Sequence, residues 1–234
     1  MAHPLDRPIW SALTTRQAGL AVGDARALRF DADYGVFAAA ADATAGCLAA
    51  LAALNPPEGG LALVEADPLP LPRGVEAASR AALVQMTAAA LTAGDRTVDF
   101  EPLGEADAAE MAALAELTRP GPWRPRTHRL GAFIGVRRDG RLVAMAGERM
   151  KPEGFTEVSG VCTHPDHRGR GLAGALMREV AARILARGEM PFLHAYADNA
   201  GAVGLYQSLG FRLRSVMTMT VTAPSAVPPQ ETAR

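Results

Sequence analysis

The spacing of apolar and polar positions gives the second half of the chain a clear grammar. Thr97 to Phe100 predicts a strand. Ala106 to Leu117 predicts a helix, because Met111, Leu114 and Leu117 recur at three-residue intervals. It stops before Arg119-Pro-Gly-Pro122. Leu130 to Arg137 and Leu142 to Ala146 predict a hairpin across Arg138-Asp-Gly-Arg141, since Asp-Gly between two apolar runs favours a tight turn. Lys151-Pro-Glu-Gly154 marks the next turn, and Thr156 to Thr163 the next strand. Gly171 to Arg187 predicts a helix with Leu172, Leu176, Val180 and Ile184 at four-residue spacing, stopped by Gly188. Phe192 to Ala197 then reads as a strand, Ala200 to Leu209 as a helix and Phe211 to Val221 as a final strand. The order strand, helix, hairpin, strand, helix, strand, helix, strand predicts a mixed α/β sheet domain with at least one parallel crossover.

The first half is less regular. Trp10 to Leu20 predicts a short helix, Ala27 to Ala39 one or two strands, and Ala41 to Leu54 an alanine-rich helix. Asn55-Pro-Pro-Glu-Gly-Gly60 ends that helix. Leu61 to Val64 reads as a short buried strand and Asp67 to Pro72 as a loop. Val75 to Leu91 predicts another helix from the spacing of Ala78, Ala82, Leu83 and Met86. Ala93-Gly-Asp-Arg96 reads as a connection. The expected organisation is an N-terminal α/β region over 1–96, a sheet domain over 97–222 and a disordered tail over 223–234.

Composition narrows the function classes. A chain of 234 residues with 49% hydrophobic and 21% charged residues is ordinary for a soluble globular protein. A formal net charge of −1 and a single lysine, Lys151, argue against a nucleic-acid partner. Cys47 and Cys162 are far apart, which points to neither a disulfide framework nor a metal site. The start MAHPLDRPIW has no hydrophobic signal core, and the apolar stretch from Val36 to Leu54 is broken by Asp42 and Thr44. No membrane association is expected, and the cytoplasm is the expected location.

One junction carries chemistry. The strand ending Val161-Cys-Thr163 runs into His164-Pro-Asp-His-Arg-Gly-Arg-Gly171, and a helix leaves the turn. The first-turn N–H groups of a helix lack backbone partners and can donate to phosphate oxygens. Gly169 and Gly171 allow close approach of the main chain, while Arg168 and Arg170 supply positive charge. The third glycine of a dinucleotide fingerprint and the G-K-[ST] of a P-loop are both absent. A tight surface connection bearing two arginines is the alternative reading of the turn taken alone.

The run from Val161 to Ala173 resembles the acyl-CoA motif of the GNAT superfamily of N-acetyltransferases, with Arg168, Gly171 and Ala173 at the matching positions. Asn199-Ala-Gly-Ala-Val-Gly-Leu-Tyr-Gln-Ser-Leu-Gly-Phe211 resembles that family's second motif through Asn199, Tyr206, Gly210 and Phe211. The resemblance covers Val98 to about Val221. It implies a GNAT-like mixed sheet with flanking helices, and acetyl-CoA lying between two diverging strands. Main chain at Val161, Cys162 and Thr163 would hold pantetheine. The turn Arg168, Gly169, Arg170, Gly171, Leu172 and Ala173 would hold the pyrophosphate, and Asn199 would help position the cofactor.

Acetyl transfer to an amine requires removal of an amine proton and protonation of the departing thiolate. The resemblance makes Tyr206 the expected general acid. Strand alternation places Glu157, Ser159 and Val161 on one side, which makes Glu157 the expected general base. Glu148, ending the preceding strand, is the reserve and a candidate substrate contact. Trp123 is a candidate acceptor-site wall. Cys162 should point opposite Val161 as a small core residue, and the histidines, His194 included, are expected to be structural.

The expected activity is transfer of an acetyl group from acetyl-CoA to a primary amine of a small or amino-acid-like molecule. Protein or peptide N-acetylation and non-catalytic acyl-CoA sensing are the alternatives. The N-terminal region is open between three roles: a diverged second GNAT-like half, an acceptor-site cap, or a homodimerisation module.

Overall fold

The computed structural model describes residues 3–56, 59–94 and 98–225. The N-terminal segment contributes α1 (Pro8–Thr14), a small antiparallel sheet of β1 (Ala21–Asp24), β2 (Ala27–Phe30) and β3 (Ala38–Ala40), and α2 (Ala45–Ala53). Pro8 opens α1, where its missing N–H costs nothing. The Thr44 hydroxyl accepts from the Cys47 N–H to cap α2. There follow β4 (Ala62–Glu65), β5 (Val75–Thr87), β6 (Glu101–Leu103), α3 (Ala108–Thr118), β7 (Phe133–Arg138), β8 (Arg141–Glu148), β9 (Phe155–Thr163), α4 (Leu172–Ala186), β10 (Met190–Tyr196), α5 (Ala200–Ser208) and β11 (Arg212–Pro224).

Eight strands form one sheet in the order β4-β11-β5-β10-β9-β8-β7-β6. Among the described strands only β9 and β10 pair in parallel, joined by the α4 crossover. Leu172, Leu176, Val180 and Ile184 are all buried, so the four-residue stripe of α4 lies on the sheet. There it packs with Val158, Leu193 and Met86. The opposite face is covered by two groups. The N-terminal elements bring Leu5, Ile9, Phe30 and Phe37 onto Val64, Leu83, Phe192 and Met217. Helix α3 brings Met111, Leu114 and Ala115 onto Phe133, Met145 and Cys162.

The expected helix over 75–91 is instead the long strand β5, paired with β10 on one side and β11 on the other. Alanine favours helix locally, but β10 and β11 each need a partner, and sheet completion outweighs the local preference. Because both faces are covered near Leu83 to Met86, the strand shows no polar alternation there. The expected strand over 97–100 also moves. Thr97 lies outside the described residues, Val98 and Phe100 pack on the α4 cluster, and pairing begins at Glu101.

The division at 96/97 is therefore no seam. Strand β5 from the first half sits inside the sheet of the second, and β11 is flanked by β4 and β5. Ala223 and Pro224, assigned to the tail, extend β11 against Glu76 and Val75. The remaining expected tail, 226–234, lies outside the described residues. Polar bonds cross the same boundary. Arg16 forms a forked pair with Glu189 at 3.0 Å, and the Gln17 amide donates to the Arg149 carbonyl at 2.8 Å.

A chain beginning at residue 97 would strip β11 of both its neighbours, β4 and β5, and β10 of its antiparallel neighbour β5. Such a truncation is expected to be aggregated or unfolded by circular dichroism and gel filtration. A monomeric, cooperatively melting fragment would show that the second half carries its own sheet.

Candidate active site

The parallel pair β9/β10 is held over three rungs only: Met190 with Phe155, Pro191 with Thr156, and Phe192 with Glu157. Beyond them β9 stays on β8 while β10 stays on β5, so the two strands are drawn apart. The gap opens into a cleft of about 810 Å³ that runs between the two faces of the sheet.

A bulge adjusts β9 where it borders this gap. Met145 pairs with Cys162 and Gly147 with Ser159, so Ala146 faces two residues, Gly160 and Val161. Gly160 takes φ 62°, and a Cβ there would lie 2.8 Å from the Phe133 ring. The extra residue reverses the alternation. Val158 and Val161 both pack toward α4, while Cys162 turns toward α3. The expectation that Glu157 and Val161 share a side therefore fails, and Cys162 is the core residue expected. Burial pushes its thiol up to about 11, away from nucleophilic use.

At one end the cleft meets the turn before α4. Gly169 and Gly171 adopt φ of 74° and 76°. Gly171 is the N-cap of α4 and offers no side-chain cap, so the first-turn N–H groups remain free. Val161, Cys162, Thr163, Arg168, Gly169, Arg170, Gly171, Leu172 and Ala173 all line the cleft. Two buried polar atoms in the same wall have no hydrogen-bond partner, Thr163 Oγ1 and His167 Nδ1. A ligand bearing amide and phosphate groups fits this donor and acceptor set.

Helix α5 forms the facing wall. Asn199 caps it by accepting from the Ala202 N–H at 3.1 Å and borders the cleft. Tyr206 lies two turns on and also borders it. Its hydroxyl bonds no other described residue, and burial raises its pKa, so the phenol keeps its proton at neutral pH.

On the other face of the sheet the walls are Phe37, Val64, Leu83, Met150 and Met219, with Arg149 and His194 among them. The pairings explain this grouping. Opposed residues of antiparallel strands share a face, which links His194 to Gln85, Leu83 to Met217, and Met219 to Val64.

Three expected site residues do not line the cleft. Glu157 is fully buried. Its carboxylate receives a fork from Arg149, Nε at 2.8 Å and Nη2 at 2.9 Å, and the His194 Nδ1 at 2.8 Å. Burial alone would raise its pKa, but Arg149 and His194 outweigh that and hold it well below the ordinary 4.5. Glu148 is also buried; Lys151 and Arg187, each at 2.8 Å, outweigh its burial and lower its pKa. Trp123 packs edge-on against Phe133 at 5.5 Å and walls a separate hollow of about 10 Å³.

His194 and Arg149, by contrast, were not among the expected site residues. Hydrogen-bond logic fixes the tautomer of His194. Gln85 Oε1 accepts from Arg214 and Gln85 Nε2 donates to the Leu5 carbonyl, so the contact to His194 Nε2 at 3.0 Å is also a donation. The proton of His194 therefore sits on Nδ1, directed at Glu157.

Strand order, a splayed parallel pair and an uncapped helix N-terminus define an α/β protein whose free helix N–H donors border a cleft that opens onto a partly apolar chamber. Comparisons with known proteins agree. The model of the FR47-like protein family matches residues 133–220. The N-alpha-acetyltransferase RimI of Mycobacterium tuberculosis (strain ATCC 25618 / H37Rv) is 32% identical over 134 residues, covering 52% of this chain and 83% of that protein. A putative acetyltransferase from the GNAT family of Novosphingobium aromaticivorans DSM 12444 superposes with a TM-score of 0.90 at 48% identity, over 96% of this chain and 100% of that one. A GCN5-related N-acetyltransferase from Kribbella flavida shares the fold, with a TM-score of 0.60 at 20% identity over 92% and 95% of the two chains. The chain belongs to the GNAT superfamily and is an acetyl-CoA-dependent N-acetyltransferase. Among the described residues no helix is long and apolar enough to cross a membrane.

The Glu157 environment makes a stability prediction. Glu157→Gln leaves the Arg149 charge unmatched and is expected to cost about 3–5 kcal/mol in urea unfolding at pH 7. The folded carboxyl lies below its unfolded value, so its contribution is complete above about pH 5 and is lost as pH falls further. The gap between wild type and variant should therefore narrow from pH 5 to pH 3. A constant gap would mean that the charge of Glu157 contributes nothing.

Proposed function

We propose that the enzyme acetylates the primary amine of a small, amino-acid-like molecule by direct attack on the thioester. The carrying observation is that Tyr206, whose hydroxyl bonds no other described residue, lines the same cleft as the uncapped N-terminus of α4 and the apolar walls. In this reading the first-turn N–H groups of α4, with Arg168 and Arg170, receive the pyrophosphate. Main chain at Val161 to Thr163, together with Thr163 Oγ1, receives the pantetheine amides. Asn199 keeps α5 at the required height by capping it. Bound acetyl-CoA supplies an activated acyl carbon, so the protein need provide no covalent nucleophile.

Tyr206 holds a proton at its hydroxyl for the departing sulfur. Glu157 stays behind the wall and orients Arg149 and His194, which leaves the amine to shed its proton to water. The N-terminal region acts as the acceptor-site cap, because Phe37, Val64 and Leu83 all come from it. The likeness to RimI favours a second reading, in which the acceptor is the N-terminal amine of a protein.

Thiol release from acetyl-CoA, measured against amino acids, polyamines, aminoglycosides and short peptides, tests the activity and sorts these readings. Tyr206→Phe is expected to lower kcat by roughly 100-fold, the low end for a general acid, with little change in KM for acetyl-CoA. Unchanged kcat would remove Tyr206 from the chemistry. Gly171→Val, which forces a side chain onto φ 76° at the anion turn, is expected to weaken CoA binding at least tenfold by calorimetry.

A further inference from the structure

The acceptor end of the cleft differs in chemistry from the cofactor end. Its walls, Phe37, Val64, Leu83 and Met219, are apolar. Among the described residues no Asp or Glu lines the cleft. The acidic groups behind these walls are already matched: Glu157 by Arg149 and His194, Glu65 by Arg7, and Asp6 by Arg214. An acceptor carrying a second ammonium group would have to strip its water against apolar walls and face arginine instead of carboxylate.

Two polar side chains, Arg149 and His194, stand among these walls, and the His194 ring nitrogens are both engaged, by Glu157 and Gln85. The Nε and Nη2 of Arg149 are spent on Glu157. Nη1 has no partner among the described residues and lies 3.9 Å from where a Cβ on cleft-lining Gly121 would stand. The guanidinium is held over the Phe37 ring at 4.7 Å, so this donor sits beside the apolar wall. A free N–H pair next to an apolar surface suits an oxygen acceptor on an otherwise apolar molecule.

We infer that the acceptor is the α-amine of an apolar aminoacyl unit. Its carbonyl or carboxylate oxygen is received by Arg149 Nη1, and its side chain lies on Phe37, Val64, Leu83 and Met219. This inference rests on the acetyl-transfer reading above. A free amino acid and the first residue of a peptide share this chemistry.

The test is thiol release by the full-length enzyme with acetyl-CoA and five acceptors: phenylalaninamide, phenylalanine, a tripeptide beginning with phenylalanine, phenethylamine and spermidine. Phenylalaninamide is expected to exceed phenethylamine in kcat/KM by about tenfold, the worth of one hydrogen bond to a charged donor. Spermidine should fall at least 100-fold below phenylalaninamide. The tripeptide and free phenylalanine arms identify the natural source of the aminoacyl unit. Arg149→Lys keeps a cation opposite Glu157 but removes Nη1, and should bring the phenylalaninamide to phenethylamine ratio toward one. If that variant does not fold, the wild-type ratios decide alone, and Phe37→Ala, assayed with glycinamide as a sixth acceptor, supplies an independent loss of preference for phenylalaninamide over glycinamide. Equal or faster turnover of spermidine, or a wild-type ratio near one, overturns the acceptor class while leaving acetyl transfer intact. No thiol release with any primary amine overturns the acetyl-transfer reading itself.

Discussion

A carboxylate sealed from water must bring its counter-charges with it, and the placement of Glu157 makes that requirement organise the site. Glu157 stands at the last rung shared by β9 and β10, at the point where the strands part. Its partners approach from both sides of the opening: Arg149 from the end of β8, and His194 from two residues farther along β10. The pairing therefore ties together the strands that the splay separates. Both partners border the cleft, whereas Glu157 does not. The buried charge fixes one edge of Arg149 and the Nδ1 proton of His194, and so determines what each presents to the chamber.

The N-terminal half is bound into this arrangement. Strand β5 supplies Gln85, whose amide sets the acceptor role of His194 Nε2, and Leu83, which walls the chamber. Gln17 reaches across to the backbone at both Arg149 and Lys151, holding the β8–β9 connection that carries the guanidinium. A separable cap would not be threaded through the middle of the sheet.

This threading explains which parts of the fold were legible in the sequence. The second-half elements follow local rules: a four-residue stripe on α4, Asp-Gly at the hairpin, and glycine after each of α4 and α5. Their order implied the mixed sheet. Strand β5 obeys no local rule. Its alanines favour helix, its central residues are covered on both faces, and its identity as a strand is imposed by β10 and β11 from more than a hundred residues away. The boundary at 96/97 inherited the same blindness, since a change in pattern along the chain need not be a gap in space.

The two ends of the cleft differ in legibility for a physical reason. The end at the turn before α4 is built chiefly from main chain: a splay, a bulge, and a helix whose N-cap has no side chain. Such features demand glycine at fixed spacing, so the positive-φ turn at Gly169 and Gly171 was legible in the sequence. The apolar end is assembled from side chains of β4, β5, β10 and β11, the β8–β9 connection and Phe37 just before β3, and many apolar residues of suitable size could serve there. The inserted residue at Gly160 adds a second obstacle. It reverses the side-chain parity of β9 between Glu157 and Val161, so alternation counted along the strand assigns Glu157 to the wrong surroundings. A carboxylate chosen as the catalytic base by parity is for that reason the charge behind the wall, and the groups that line the cleft are the arginine and histidine it holds.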